Sequence, residues 1–145
     1  MAEAANIQTV RRYFDACNSG ILDDFAPTLA SDVVHYFLPE RFPPIHGAEH
    51  LARFWRKFKQ VSNTAWAIDQ IIAQDDRVVS EWSLIWSPSG SAQRLTMRGS
   101  EWYVMRDGVI AEVRAYFAYD EQRDAELKAF PYEARRYLLK KSATP

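Results

Sequence analysis

The feature that most constrains this chain is a change of hydrophobic period at Thr64. Before it, apolar residues recur three and four apart; after it, they recur at every second position. Ile7, Val10, Phe14 and Cys17, with Tyr13 beside them, make one helical stripe that Asn18-Ser19-Gly20 terminates. A short second helix over residues 22–29 is reset at Pro27, residues 33–37 read as a strand, and residues 39–44 as a loop. Leu51, Phe54, Trp55, Phe58 and Val61 return to helical spacing and predict a third helix over residues 48–61. The period-two half predicts strands over 64–73, 78–86, 93–106 and 109–119, rich in β-branched and aromatic residues. Pro88-Ser89-Gly90 and Asp107-Gly108 are the turn signals between the last three, the second of type I′. Residues 120–141 read as a helical tail, broken at Phe130-Pro131 and resumed through Tyr137. Helices followed by an antiparallel meander predict an α+β fold in one domain spanning residues 1–145, with its core over about 5–119.

Charge excludes several functions. Eighteen Lys and Arg against 19 Asp and Glu leave a net charge of -1, which gives neither nucleic acid nor an anionic membrane a footprint. No segment reaches the roughly 18 apolar residues of a membrane span, and residues 1–6 lack the basic and apolar runs of a signal peptide. Lone Cys17 allows no internal disulfide, and three His with one Cys give no zinc spacing, so a cytoplasmic protein with no metal and no cofactor is expected. The aromatic share, 14% of the chain, points to a walled apolar pocket.

Strand alternation sorts the candidate polar groups. A tight turn at Pro88 would place Glu81 opposite Arg98 or Gly99, with Glu101 diagonal to it on the same face. Two carboxylates on an apolar surface repel and are desolvated, which raises at least one pKa toward neutrality and suits proton transfer. The bland alternative leaves them exposed, or neutralised by Arg94 or Arg98. The opposite face would gather Trp82, Leu84, Trp86, Trp102, Val104 and Tyr116 into an apolar patch, which a symmetric homodimer would cover.

In order and spacing, several segments resemble the SnoaL-like branch of the nuclear transport factor 2-like superfamily. They are Arg12-Tyr13-Phe14, Asn18-Ser19-Gly20, Leu29-Ala30-Ser31-Asp32-Val33-Val34, His46-Gly47-Ala48-Glu49-His50-Leu51, Val79-Ser80-Glu81-Trp82 and the run from Arg106 to Phe117. The resemblance implies a cone, a curved antiparallel sheet wrapped over three helices with a deep pocket between them. Its members include ketosteroid isomerases, scytalone dehydratase, limonene epoxide hydrolases, polyketide cyclases and non-enzymatic binders, so fold alone does not fix activity. Against the isomerase pattern, Tyr13 matches the oxyanion-donating tyrosine and Glu101 the protonated acid, but Phe37 or Leu38 replaces the general base. Against the epoxide hydrolase pattern Glu101 is kept, while Gly99 and Ala115 replace the arginine and the second aspartate.

What remains is a pocket with its own polar set. The expected reading is a cofactor-independent dehydratase, isomerase or cyclase acting on a hydrophobic oxygenated small molecule. Glu101, with Glu81, would be the acid or base of raised pKa, and Tyr13 would stabilise a developing oxyanion. His35 would be the partner base, or else a buried structural histidine. Phe37, Phe54, Trp55, Ser83, Tyr103 and Phe117 would contact the ligand. The rival is a binding protein using the same pocket without chemistry.

Overall fold

In the computed structural model, which describes residues 2–139, three helical segments lie inside a curved six-stranded sheet. Helix α1 (Ala2–Ser19) buries Val10, Tyr13, Phe14 and Cys17, the stripe its spacing predicts. Its end is fixed twice over. Gly20 takes a positive φ of 68° as the chain leaves the helix, and Asn18 closes a two-bond bridge to the backbone of Trp66 (2.8 and 3.0 Å). Helix α2 (Leu22–Phe25) runs into a 3-10 turn at Ala26–Thr28, the reset imposed by Pro27. Helix α3 (Ala48–Ser62) presents Leu51, Ala52 and Trp55 to the core and stops at Asn63, whose left-handed backbone (φ 47°) lets its N–H cap the Lys59 carbonyl.

The strands are β1 (Leu29–Leu38), β2 (Ile45–His46), β3 (Ala65–Gln74), β4 (Arg77–Trp86), β5 (Leu95–Arg106) and β6 (Val109–Phe117), in the spatial order β2-β1-β6-β5-β4-β3. The meander β3 to β6 is antiparallel, but β1 lies parallel to β6, so the sheet is mixed. Breaks in register at Ile68/Gln70 of β3 and at Val104/Met105 of β5 add the bends that a cone needs. The β5–β6 turn has Asp107 and Gly108 both at positive φ, as a type I′ turn requires.

Register overturns one expectation. The β4–β5 loop is longer than a tight turn at Pro88 would make it, so Trp82 pairs with Gly99 and Glu81 with Ser100. That one-residue difference exchanges the faces of β4. Trp82 and Trp86, expected outside at a dimer face, are each 2% exposed and point into the cone. Trp102 and Tyr116 do stand on the outer face, 41% and 43% exposed. Glu81 and Ser83 move to the outer face with them, away from Glu101.

The tail is the second correction. Residues 118–139 hold no helix; positive φ at Ala129 and Arg136, with Pro131 between them, rule out a continuous one, and residues 140 and 141 lie outside the described residues. Instead the tail straps the outer face of β3–β5, where its backbone bonds to sheet groups. Ala125 N–H donates to the Thr96 carbonyl at 2.9 Å, and Leu138 N–H to Asp69 Oδ1 at 3.0 Å. Arg98 anchors it by bonding Ser83, the Leu138 carbonyl and Glu126 while its guanidinium lies 3.9 Å from the Tyr132 ring centroid. Among the described residues, no helix is long and apolar enough to cross a membrane.

Candidate active site

The inner face of the sheet reads across the strands in rows. Ser80, Glu101, Ala115 and Phe37 form one row; Val78, Tyr103, Val113 and His35 form the row on one side, and Trp82, Gly99 and Phe117 the row on the other. Between these rows and α3 lies a cavity of about 280 Å³. Its wall is aromatic: Phe37, Phe42, Phe54, Trp55, Phe58, Trp66, Trp82, Trp86 and Phe117 line it, with Leu84 and Met97. Neighbouring rings meet mostly edge to face, as with Trp55 and Trp66 at 5.4 Å and Trp66 and Trp82 at 5.1 Å, which holds the wall in place. Exposed Ser89 and Glu121 mark the solvent end.

Two titratable groups reach this wall deep in the fold, Glu101 and His35. Glu101 is 3% exposed. Its Oε2 accepts a 2.6 Å hydrogen bond from Tyr103 OH, which in turn lies 2.8 Å from Ser80 Oγ. Its Oε1 has no protein partner among the described residues. Burial raises the carboxyl to about 7, and the Tyr103 bond only partly offsets that. Small residues, Ser80 and Ala115, flank it in its row, so the space above it stays open.

His35 is fully buried against Phe37 (ring centroids 4.3 Å apart) and Trp55 (5.5 Å). Neither ring nitrogen has a hydrogen-bond partner among the described residues. Burial pushes the imidazole down to about 3, outweighing an opposing pull from the backbone at Tyr36. At neutral pH it is therefore an uncharged donor and acceptor and a weak base.

The other expected residues divide. Phe37, Phe54, Trp55 and Phe117 line the cavity. Tyr13 and Tyr103 stand behind its wall: Tyr13 OH accepts the Trp55 indole N–H at 2.6 Å, and Tyr103 supports Glu101. Burial and the neighbouring Cys17 and Glu101 keep the Tyr13 phenol well above its ordinary range, so it is neutral. Glu81 and Ser83 are on the far side of the sheet. Glu81 accepts from Gln70 (2.9 Å) and Tyr137, while Ser83 donates to Asp69 at 2.5 Å. The expected carboxylate pair is therefore not formed. Sequence reading missed Trp82, Trp86, Leu84 and Phe42 as wall residues. Glycine is rare in this chain, and Gly99 opposite a tryptophan was the available signal: a Cβ there would lie 2.4 Å from Trp82 Cζ2.

Comparison with known proteins agrees with this architecture. Residues 10–113 match the SnoaL-like domain family. A protein of unknown function with a cystatin-like fold from Methylobium petroleophilum PM1 is 25% identical, with a TM-score of 0.72 over 99% of this chain and 97% of its own. An LEH-like epoxide hydrolase of M. tuberculosis is 21% identical, with a TM-score of 0.71 over 81% of this chain and 86% of its own. A candidate SnoaL-like polyketide cyclase from Jannaschia sp. CCS1 is 19% identical, with a TM-score of 0.68 over 79% and 86%. No curated protein matches the chain at the sequence level. With the family match covering most of the chain and the same cone in these structures, the chain belongs to the SnoaL-like family of the nuclear transport factor 2-like superfamily.

Proposed function

We propose that this protein catalyses proton transfer on a hydrophobic, oxygenated small molecule, without a cofactor, as a dehydratase, isomerase or cyclase. The observation that carries the reading is Glu101: a buried carboxyl on the wall of an aromatic cavity, with one oxygen held by Tyr103 and the other free for a guest. Its pKa of about 7 leaves both protonation states populated at neutral pH, the condition for one group to give and take a proton within a cycle. Names among the fold relatives, a cyclase and an epoxide hydrolase, are compatible with such chemistry.

The roles follow from position. Glu101 exchanges the proton, neutral His35 packs against Phe37 and Trp55 with both ring nitrogens closed off from the cavity, and Phe37, Phe54, Trp55 and Phe117 hold the apolar body. Tyr103 positions Glu101, and Tyr13 positions Trp55. Glu81 and Ser83 have no part in it.

One observation favours a second reading, a binding protein. His35 is too weak a base at about 3 to complete a pair with Glu101, so a two-base mechanism lacks its second member. Deuterium exchange at the α-carbon of 2-tetralone in D₂O, followed by NMR, separates the two. Catalysed exchange that Glu101→Gln abolishes supports the enzyme; 2-tetralone that is bound and recovered without exchange supports the binder.

A further inference from the structure

Every side chain that lines the aromatic cavity is apolar, uncharged or acidic. The acids are Glu101 deep inside and Glu121 at the solvent end, and among the described lining residues none is Lys or Arg. Arg41 stands near the solvent end, its guanidinium 4.6 Å from the Tyr119 ring centroid and 5.4 Å from that of Phe42, without lining the cavity.

Other carboxyls of the fold have a cation beside them. Glu49 pairs with Arg53 and Asp32 with Arg106 at exposed positions, where such a pair contributes least. Glu101, 3% exposed, has no such partner among the described residues. Burial is opposed there only by the Tyr103 bond, and Oε1 is neither bonded nor sealed from the cavity. A carboxylate so placed is stabilised most by a positive charge in contact with it. The aromatic wall favours the same sign, because the faces of Trp, Tyr and Phe attract a cation. An anion would meet the reverse, two acids and no basic side chain.

We infer that the cavity selects a hydrophobic amine: the protonated nitrogen of the guest pairs with Oε1 of Glu101 while its apolar body packs on the aromatic wall. This rests on the reading of the cavity given above and adds the charge of its substrate. Amino ketones and amino alcohols fit it; organic acids and phosphate esters do not. The pairing also moves a proton. Where Glu101 starts as the acid, its O–H proton leaves to solvent as the ammonium arrives, so the complex holds one carboxylate and one ammonium.

Three probes of one skeleton test it, 2-aminotetralin, tetralin and tetralin-2-carboxylate, which are cationic, neutral and anionic at pH 7. Titration calorimetry on the wild-type protein should find the amine bound about 10- to 100-fold tighter than tetralin, the effect of a hydrogen bond to a charged group, and the acid bound more weakly than tetralin. In buffers of different ionisation enthalpy, amine binding at pH 7 should release about half a proton per site, because Glu101 at about 7 is half protonated. Glu101→Gln should abolish that release and bring the amine down to the affinity of tetralin, with tetralin binding as the measure that the cavity is intact. An amine preference that survives Glu101→Gln, or that is lost in Glu121→Gln instead, overturns the assignment to Glu101. Equal binding of the three probes, or binding of none, overturns the inference. If 2-tetralone is still exchanged in that case, the proton-transfer reading of Glu101 stands. If the amine is preferred but 2-tetralone is not exchanged, that reading falls and the amine selectivity stands.

Discussion

The two faces of this sheet each withdraw a carboxyl from water, Asp69 half-buried and Glu101 fully buried, and they treat it in opposite ways. On the outer face Asp69 uses both oxygens, one accepting from Ser83 and one from the Leu138 N–H, with the Arg98 charge nearby. On the inner face Glu101 has a single bond from Tyr103 and an unpaired oxygen on a cavity wall. Burial raises both, but only the inner carboxyl keeps a valence for something that is not protein. The half-buried acid, bonded through both oxygens, holds the tail to the sheet; the fully buried one, with an oxygen to spare, is the group on which the proposed function rests.

The largest expected effect separates the faces by activity. Glu101→Gln should lower proton-transfer turnover by about 10²- to 10⁴-fold, as measured by 2-tetralone exchange, with the fold retained. Arg98→Ala should do the reverse. It should cost about 2–3 kcal/mol in urea unfolding, because it leaves Glu126 and the Leu138 carbonyl without their charged donor, and it should expose the tail to proteolysis with exchange activity kept. Activity lost with Arg98 would break the division between faces.

Stability against pH sharpens the comparison within the inner face. Glu101 sits near 7 when folded and near an ordinary carboxylate value when unfolded. The folded state therefore binds the extra proton between those values, and Glu101 erodes stability as pH rises from about 4.5 to about 7. His35, held down to about 3, has the opposite sign: the unfolded state binds the extra proton, so stability is lost as pH falls from about 6.5 toward 3. Between about 4.5 and 6.5 the two slopes oppose each other. Glu101→Gln should remove one, leaving a protein on the order of 3 kcal/mol more stable than wild type at pH 8 and no different at pH 4. His35→Gln should leave the other, a steady fall from pH 4.5 to 7. Parallel urea titrations of the three proteins check all of this.

Gly99→Ala should cost about 1–3 kcal/mol, since the new methyl meets the Trp82 ring at 2.4 Å and the Tyr116 carbonyl at 2.8 Å. Displacing Trp82 reshapes the cavity wall, so it should also weaken 2-tetralone binding. The smallest effect belongs to Glu81→Gln, below about 0.5 kcal/mol, because an amide oxygen still accepts from Gln70 and Tyr137.

These predictions also trace what the sequence could reveal. Periodicity alone located α1, α3 and the four long strands, and Asp107-Gly108 formed the turn its chemistry demands. The faces of β4 were not legible from alternation, because both carry large apolar groups. Its inner side has Trp82, Leu84 and Trp86, its outer side Val79 and Ile85. Loop length decided between them, and a slip of one residue exchanged Glu81 for Trp82 at the site. Size complementarity would have set the register, since only glycine at 99 admits an indole opposite. The tail misled for a different reason. Its composition suits a helix, but its backbone groups are spent on Thr96 and Asp69, partners that only the folded sheet brings near.

The most direct test of the account is the titration of Glu101 itself, followed by ¹³C NMR of side-chain-labelled glutamate and assigned by the signal that disappears in Glu101→Gln. A midpoint near 7 that moves when 2-tetralone occupies the cavity is the predicted result. A midpoint below about 5, the range of a solvated carboxylate, unmoved by the ketone, would contradict it.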